Sequence, residues 1–312
     1  MRNVLVTGAG GQIGSELVPT LRERDGVETV VATDISELAD VEGPTEEIDV
    51  RDAAALSAAI EEYDVDTVFH LAAILSARGE DNPNLAFEVN VDGLYTVLEV
   101  GRERDLDQLV VPSSIAVFGP ETPPHPGEMT TLAPRTIYGI SKVFGEHLGN
   151  YYNWNDYLDV RGVRFPGIIS HETLPGGGTT DYAVEAFYHA IEEGEFTYFV
   201  REDTELPMMY MEDALRALIG IATADRESLE YPCSYNVGAL SFTPAELTAA
   251  IRDHRPDFEA HYEPDDRQAI ADSWPDSVDD SAAREDWGWE HTYDLEAMTA
   301  DMLEHLEGKL RD

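Results

Sequence analysis

Residues 4–34 decide the fold and read VLVTGAGGQIGSELVPTLRERDGVETVVATD. The apolar run at residues 4–6 has no polar alternation, which predicts a buried parallel strand. Apolar side chains then recur at helical spacing from Ile13 to Leu21, and residues 29–33 predict a second strand. Strand, glycine-rich turn, helix and strand in this order predict a βαβ unit suited to binding one nucleotide.

Three glycines shape the turn of this unit. Gly8 allows the tight turn, Gly11 lets the backbone approach a pyrophosphate, and Gly14 lets helix and strand pack closely. The helix N-terminus offers free N–H groups to the phosphates. Asp34, at the end of the second strand, suits the 2′-hydroxyl of an adenosine ribose. A turn without a ligand is the alternative, but the ordered flanking elements favour a dinucleotide, with NAD preferred over NADP.

The chain is strongly acidic along its whole length. Its 312 residues include 63 acidic side chains against 20 Lys and Arg, and the formal net charge is −43. Such a surface repels nucleic acid and anionic membranes, so neither is an expected partner. We interpret the charge as that of an enzyme from a salt-rich cytoplasm, where screening relieves self-repulsion. An ordinary acidic protein is the alternative.

Cysteine content and hydropathy narrow the class further. The one cysteine, Cys233, excludes a disulfide within the chain and a cysteine zinc site, and we expect it to be a small buried side chain. No apolar run is long enough for a transmembrane helix, and the N-terminal run is too short for a signal peptide. We therefore expect a cytosolic protein and no metal site.

Strand and helix patterns alternate through most of the chain, which predicts an α/β fold with a doubly wound parallel sheet of the Rossmann type. We assign residues 1–166 to a dinucleotide-binding domain that is re-entered at about 208–238. Residues 167–207 and 239–312 would form a smaller, discontinuous substrate lobe. Other expected elements are a helix at 85–104, a strand at 160–165, a loop at 74–80, a helix at 208–224 and a mostly helical tail from 243.

Three polar residues suggest alcohol oxidation. Tyr138 and Lys142 are four apart on a predicted helix and so share a face, and Ser114 ends the preceding strand. A tyrosine is a poor base at neutral pH because its pKa is near 10. A nearby ammonium favours the phenolate, which makes Tyr138 a candidate general base. A surface helix pair without a catalytic role is the alternative.

These features resemble the extended short-chain dehydrogenases, which share the glycine spacing and the Ser-Tyr-Lys trio. A narrower resemblance, over essentially the whole chain, is to the L-threonine 3-dehydrogenases of the short-chain type. The stretches that carry it are GQIGSELVP at 11–19, FHLAAILSA at 69–77, VFGPETP at 117–123, GTTDYAVE at 178–185 and LPMMYM at 206–211.

The resemblance implies NAD-dependent oxidation of L-threonine at C3 to 2-amino-3-oxobutyrate. Ser114 would polarise the hydroxyl, Tyr138 would deprotonate it, and Lys142 would hold the nicotinamide ribose. Substrate-binding roles fall to Ser76, Ser114, Tyr138, Thr179 and Thr180, although Ser76 could instead cap a loop and the threonines could form a turn. The cofactor-binding residues are expected to be Gly8, Gly11, Gln12, Ile13, Gly14, Asp34, Asp49, Val50, Leu71, Ala72, Ala73, Asn90, Tyr138, Lys142 and Pro166.

Some implications have stated alternatives. Asp49 falls where this superfamily places an acid for the adenine amino group, but it could instead cap a helix. Asn90 could brace the fourth predicted strand, at residues 66–73, or face solvent. The resemblance also implies a homodimer formed through the helices at 85–104 and 142–152.

Two other functions stay open. A nucleotide-sugar epimerase or dehydratase would share the trio and bound NAD. Such enzymes typically carry an asparagine soon after the sixth strand, which is predicted here at residues 160–165, and residues 161–180 contain none. A scaffold that binds NAD without turnover is disfavoured by the intact trio. A metal-dependent alcohol dehydrogenase is disfavoured by the single cysteine and by the absence of a paired-histidine motif.

Overall fold

The secondary structure comes from a computed structural model, which describes residues 1–39 and 41–311. The strands, in chain order, are β1 (Asn3–Thr7), β2 (Thr29–Asp34), β3 (Thr45–Glu47), β4 (Thr67–His70), β5 (Gln108–Val110), β6 (Ser113–Ser114), β7 (Asp159–Arg161), β8 (Val163–Phe165), β9 (Gly167–Ile169), β10 (Glu195–Tyr198), β11 (Leu206–Tyr210), β12 (Tyr235–Asn236), β13 (Leu240–Phe242) and β14 (Glu259–Tyr262). The helices are α1 (Gly14–Arg22), α2 (Ala53–Glu62), α3 (Ser76–Asp81), α4 (Pro83–Phe87), α5 (Leu94–Glu103), α6 (Ile137–Trp154), α7 (Tyr182–Glu192), α8 (Met211–Thr223), α9 (Pro244–His254), α10 (Arg267–Ala271), α11 (Ser281–Trp287) and α12 (Leu295–Arg311). Among these helices, none combines the length and the apolar character needed to cross a membrane.

A six-stranded parallel sheet lies at the centre, in the order β3-β2-β1-β4-β5-β7. Every residue of β1 and β4 is buried, because α1 and α8 pack on one face and α2 and α5 pack on the other. The strand order reverses between β1 and β4, and open sheets of this kind bind ligands at the carboxyl ends of the strands beside such a reversal. The predicted α/β fold with a doubly wound sheet is confirmed.

The predicted sixth strand, at residues 160–165, is in fact two strands in different sheets. β7 adds to the edge of the central sheet, whereas β8 lies between β6 and β12 in a small parallel sheet. Gly162 lies between the two strands. A larger residue does not fit there, because an added Cβ would lie only 2.2 Å from the carbonyl oxygen of Val111. Its amide donates to the Pro232 carbonyl at 2.7 Å instead of continuing the ladder.

A second hydrophobic core lies towards the C-terminus. It is formed by buried side chains from α7, β10, β11, α9 and α12, among them Tyr182, Tyr198 and Met302. β9, β11 and β13 form a small mixed sheet, and β10 pairs with β14 in parallel. Our division of the chain into a dinucleotide-binding domain and a discontinuous lobe stays a prediction, and it includes Asp40 and Asp312, which lie outside the described residues.

Two local predictions are wrong. Residues 76–80 belong to the helix α3 and are not a loop; Gly79 does not break the helix but lets it pack closely against Ile137. Residues 208–210 belong to β11 and not to the following helix, since a continuous apolar run suits a buried strand equally well. The mostly helical tail expected from residue 243 is confirmed as α9 to α12, with one short strand, β14, among them.

Candidate active site and cofactor pocket

The turn between β1 and α1 has no room for side chains. Gly8 has φ of +68°, and an added Cβ would lie 2.7 Å from the amide nitrogen of Ala72. At Gly14 an added Cβ would lie 2.3 Å from the carbonyl oxygen of Gly8. The Gly11 amide donates to that carbonyl at 3.0 Å, which folds the turn back on itself. α1 begins here, so its first amide groups are available to an anion.

Two carboxylates mark one end of the pocket that starts at this turn. Asp34 ends β2, and its Oδ2 accepts a hydrogen bond from the Gly10 amide at 3.0 Å. Asp49 accepts from the guanidinium of Arg51 at 2.9 and 2.6 Å, and this hydrogen bonding lowers the pKa of Asp49. Asp34 therefore stands at the glycine turn, as a ribose contact requires, while Asp49 already has a cationic partner.

The pocket has a volume of about 560 Å³ and runs along the carboxyl ends of the central strands. Its wall brings together all but one of the residues that the sequence assigned to cofactor or substrate: Gly8, Gly11, Gln12, Ile13, Gly14, Asp34, Asp49, Val50, Leu71, Ala72, Ala73, Ser76, Ser114, Tyr138, Lys142, Pro166, Thr179 and Thr180.

Asn90 is the exception and lies behind this wall. It sits in a π-helical segment, residues 88–93, which interrupts the helix expected at 85–104. Its side chain accepts from the Ile74 amide at 2.8 Å and donates to the Ile74 carbonyl at 2.9 Å. Of the two roles considered from the sequence, the structure agrees with bracing: Asn90 holds the segment that follows β4.

The residues present fit a bound dinucleotide. The glycine turn offers backbone where any Cβ would collide, which suits a pyrophosphate. Asp34 lies within reach of a ribose beside the turn, and Tyr138 and Lys142 line the same pocket further along. The glycine turn would hold the pyrophosphate, Asp34 the adenosine ribose, and Tyr138 with Lys142 the nicotinamide ribose.

Ser114, Tyr138 and Lys142 converge on this second part of the pocket. Thr136 caps α6 by accepting from the Gly139 amide at 3.0 Å. An added Cβ on Gly139 would lie 2.1 Å from the Ala116 carbonyl, so glycine lets the start of α6 lie against the turn that follows β6. That approach brings Tyr138 to Ser114. The Lys142 Nζ lies 5.4 Å from the centre of the Tyr138 ring and donates to the Pro112 carbonyl at 2.7 Å.

Burial sets the protonation of this trio. Burial raises the pKa of Tyr138 to about 12, while a hydrogen bond from Ser114 acts in the opposite direction. Burial lowers the pKa of Lys142 to about 8, while the negative charge of Glu146 acts to raise it. Without a further positive charge the phenol therefore stays protonated at neutral pH, and a cationic ring bound nearby would favour its ionisation.

Sequence reasoning missed a buried ion pair behind the trio. Glu146 accepts from Arg164 through Nε at 2.8 Å and Nη2 at 2.7 Å, and from the Ser113 hydroxyl at 2.5 Å. Both charged side chains are almost fully buried. The signal was present, because Glu146 follows Lys142 by four residues and so lies on the same face of α6.

A second set of small polar residues lines the same pocket. The hydroxyls of Ser76 and Thr179 lie 3.1 Å apart, and both side chains are buried. Asp181, which the sequence analysis did not select, also lines the pocket and accepts from the amides of Gly177 and Gly178 at 3.0 and 2.7 Å. Burial raises the pKa of Asp181 to about 6.

The chain is similar to known proteins over most of its length. Residues 4–238 match the model of the NAD dependent epimerase/dehydratase family. An uncharacterised epimerase/dehydratase from Staphylococcus saprophyticus is 46% identical over 315 residues, covering 99% of this chain and 98% of that protein.

Two solved structures are similar over their whole length. The GalE-like L-threonine dehydrogenase from Cupriavidus necator, in its holo form, is 47% identical with a TM-score of 0.95 and covers 97% of this chain and 99% of its own. A monomeric L-threonine 3-dehydrogenase from a metagenome, in its apo form, is 45% identical with a TM-score of 0.95 and covers 99% of this chain and 100% of its own. The family model spans most of the chain, and NAD, the cofactor in the family's name, suits the pocket. This protein is therefore an NAD-dependent dehydrogenase, and it belongs to the NAD-dependent epimerase/dehydratase family.

Proposed function

We propose that the protein oxidises L-threonine at C3 to give 2-amino-3-oxobutyrate. The observation that carries the proposal is the pairing, in one pocket, of an alcohol-oxidising trio with a small polar wall. Ser114 and Tyr138 line this pocket together with the Ser76–Thr179 hydroxyl pair. The L-threonine dehydrogenases named above support this substrate, because they match the chain over nearly its whole length.

The residues of the trio divide the tasks at the C3 hydroxyl. Ser114 donates a hydrogen bond to the C3 hydroxyl and fixes its position. Tyr138, as phenolate, takes the hydroxyl proton, and the Lys142 ammonium favours the phenolate by its charge. The glycine turn, Asp34 and Lys142 would hold NAD, which would supply the hydride acceptor for C3. Pro166 and the small residues Ala72 and Ala73 also line this pocket and present an apolar surface there.

The substrate end selects for a small molecule with polar groups. Ser76, Thr179 and Thr180 offer hydroxyls and backbone N–H groups to the amino-acid end. A site that hydrogen-bonds both ends of a ligand discriminates strongly against analogues that lack one of those groups. Because Asp181 is an acid at this end, a substrate that carries an ammonium group suits the wall better than a diphosphate does.

Reduction of NAD with a substrate panel tests the proposal. Absorbance of NADH would be followed with L-threonine, D-threonine, L-allo-threonine, L-serine and 2-butanol in molar KCl. We expect L-threonine to be oxidised fastest, L-serine to be weak because it lacks the methyl group, and 2-butanol to be very slow. Absence of NADH with L-threonine, together with turnover of UDP-glucose or UDP-galactose, would establish the epimerase alternative.

We also propose that the protein is a homodimer formed through α4, α5 and α6. These helices carry exposed apolar side chains on the outside of the molecule: Phe87, Tyr95, Ile140, Phe144 and Tyr151. A cluster of this kind suits an interface between copies of the chain. Light scattering after size exclusion should give twice the chain mass, and Phe144→Glu should give the chain mass. A wild-type protein that is monomeric in both dilute and molar salt would contradict the proposal.

A further inference from the structure

A second cluster of potential ligand groups lies outside the cofactor pocket. It joins the segment after β9, the start of α8 and the helix α12, and contains His171, Glu212, Asp301 and His305. Ligand atoms of His171, Asp301 and His305 all lie within 4.8 Å of one another. Within the described residues, the wall of the cofactor pocket includes none of the four.

Two atoms in this cluster lack a hydrogen-bond partner at ordinary distance among the described residues. His171 is 7% exposed, and its Nδ1 lies 3.3 Å from Glu172 Oε1, but its Nε2 lies 3.9 Å from Glu212 Oε1, which is too long for a hydrogen bond. The other oxygen of Glu212, Oε2, is buried and has no hydrogen-bond partner among the described residues. An unpaired buried carboxylate oxygen costs free energy unless a donor or a cation meets it.

The charges around the cluster favour a cation. Three carboxylates, those of Glu172, Glu212 and Asp301, lie beside the two imidazoles and outnumber the Lys309 ammonium, which donates to the carbonyl oxygens of His171 and Glu172. Glu16 lies close by, receives a hydrogen bond from Ser170, and has its pKa raised to about 7 by burial. The carboxylate of Asp301 is held in position by Tyr210, a residue outside the cluster, whose hydroxyl donates to Asp301 Oδ2 at 2.5 Å. Hydrogen-bonded carboxylates of this kind commonly support metal ligands.

The positions of the histidine rings define the movement that binding needs. The His171 and His305 rings stack at 4.2 Å with an angle of 11°, and His305 Nδ1 lies 2.9 Å from the Asp301 carbonyl oxygen, which leaves its Nε2 free. Tetrahedral zinc at about 2.1 Å from each donor holds neighbouring donors roughly 3.4 Å apart. Joint ligation therefore requires the His305 ring to turn and the donors, now within 4.8 Å of one another, to close by up to about 1.4 Å. The side chain of His305 is half exposed, so the ring has space to turn.

We propose that His171, Glu212, Asp301 and His305 bind one divalent transition-metal ion, with a structural and not a catalytic role. Two imidazoles and two carboxylates suit Zn²⁺, Co²⁺ or Mn²⁺ better than Mg²⁺ or Ca²⁺, which prefer oxygen ligands. The ion ties α12 to the segment at residues 170–173. That segment also contacts α1, since the hydroxyls of Ser15 and Thr173 lie 2.9 Å apart. Binding there joins the C-terminal helix to the helix that starts at the glycine turn.

The test uses metal-stripped full-length protein in 1 M KCl, which suppresses general binding of divalent ions to the acidic surface. Wild type, His305→Gln and His171→Gln are titrated with Zn²⁺ and with Co²⁺. His189→Gln is the matched control, because His189 is a partly exposed histidine that also faces a glutamate one helical turn away. The readouts are bound metal per chain after desalting, the visible absorption of Co²⁺, and the Tm.

We expect one Zn²⁺ per chain in the wild type and in His189→Gln. At a hundredfold excess over Kd, the Tm should rise by about 4 °C. His305→Gln should weaken binding at least tenfold and alter the Co²⁺ spectrum, and because its side chain is half exposed the variant should fold. His171→Gln should abolish binding. Equal binding by the wild type and His305→Gln, or no bound Zn²⁺ in the wild type, would overturn the proposal.

Discussion

Glu146→Gln should both destabilise the protein and shift its pH profile. Glu146 binds Arg164 through two hydrogen bonds, and the Arg164 side chain is only 2% exposed. The substitution keeps the shape of the side chain but leaves the guanidinium without a counter-charge. Removing one partner of a buried ion pair costs about 3–5 kcal/mol. With an unfolding entropy of about 2.1 cal/mol/K per residue over 312 residues, the Tm should fall by roughly 5–8 °C.

The same substitution should act on Lys142. Burial lowers the pKa of Lys142 to about 8, and the charge of Glu146 acts to raise it. When that charge is removed, and Arg164 is left uncompensated, the pKa of Lys142 should fall further. Lys142 then loses its proton at a lower pH, so the alkaline decline of kcat/KM should move down by about one pH unit. A small cavity of about 30 Å³ borders both Lys142 and Glu146, so the two groups interact across little intervening protein.

Two measurements separate these effects. Scanning calorimetry gives the change in Tm, and the pH dependence of NADH formation gives the position of the alkaline limb. Glu103→Gln is the control, since Glu103 is exposed on α5 and its substitution removes the same charge from the acidic total. If Glu146→Gln matches this control in both Tm and pH profile, the argument from the buried pair is wrong.

Three further predictions concern base, cofactor and salt. Tyr138→Phe should lower kcat by about a hundredfold or more while NAD affinity stays nearly unchanged, and a variant that keeps over half of the wild-type kcat would exclude Tyr138 as the base. Wild type should prefer NAD, because Asp34 repels a 2′-phosphate, and Asp34→Asn should narrow that preference; equal kcat/KM for NADP in the wild type would show that Asp34 does not contact the ribose. The Tm should rise from dilute buffer to molar KCl as the net charge of −43 is screened, and a Tm that is independent of salt would refute our interpretation of the acidic composition.

The parts of the fold that the sequence predicted correctly are those with one dominant local cause. The glycine turn is an example, because Gly8 and Gly14 admit no Cβ and only one arrangement of strand and helix satisfies both. The failures lie where two local patterns compete. Residues 208–210 are apolar throughout, and both a buried strand and a buried helix accommodate them.

The candidate site divides in the same way. Ser114, Tyr138 and Lys142 could be chosen because spacing on a helix and at a strand end places them together. The pair between Glu146 and Arg164 could not be chosen from the sequence alone, since it depends on how α6 lies against β8. The role of Asn90 also needed the structure, because the π-helical segment determines which backbone its amide meets.

At Gly162 the chain passes from the central sheet into the small sheet formed by β6, β8 and β12. In this small sheet β8 pairs Phe165 with Ser114, so the same sheet supports both Ser114 and Pro166, the residue after Phe165. Ser76 and Thr179 are also buried, but they belong to α3 and to the loop at residues 176–181, and neither segment is part of that small sheet. The parts that perform hydride chemistry and the parts that choose the alcohol are therefore separate modules. Replacing residues 74–80 together with 176–181 should therefore change which small hydroxy compound is oxidised while the hydride chemistry is kept. Comparing these two segments among related enzymes would show how often such replacements have changed the substrate.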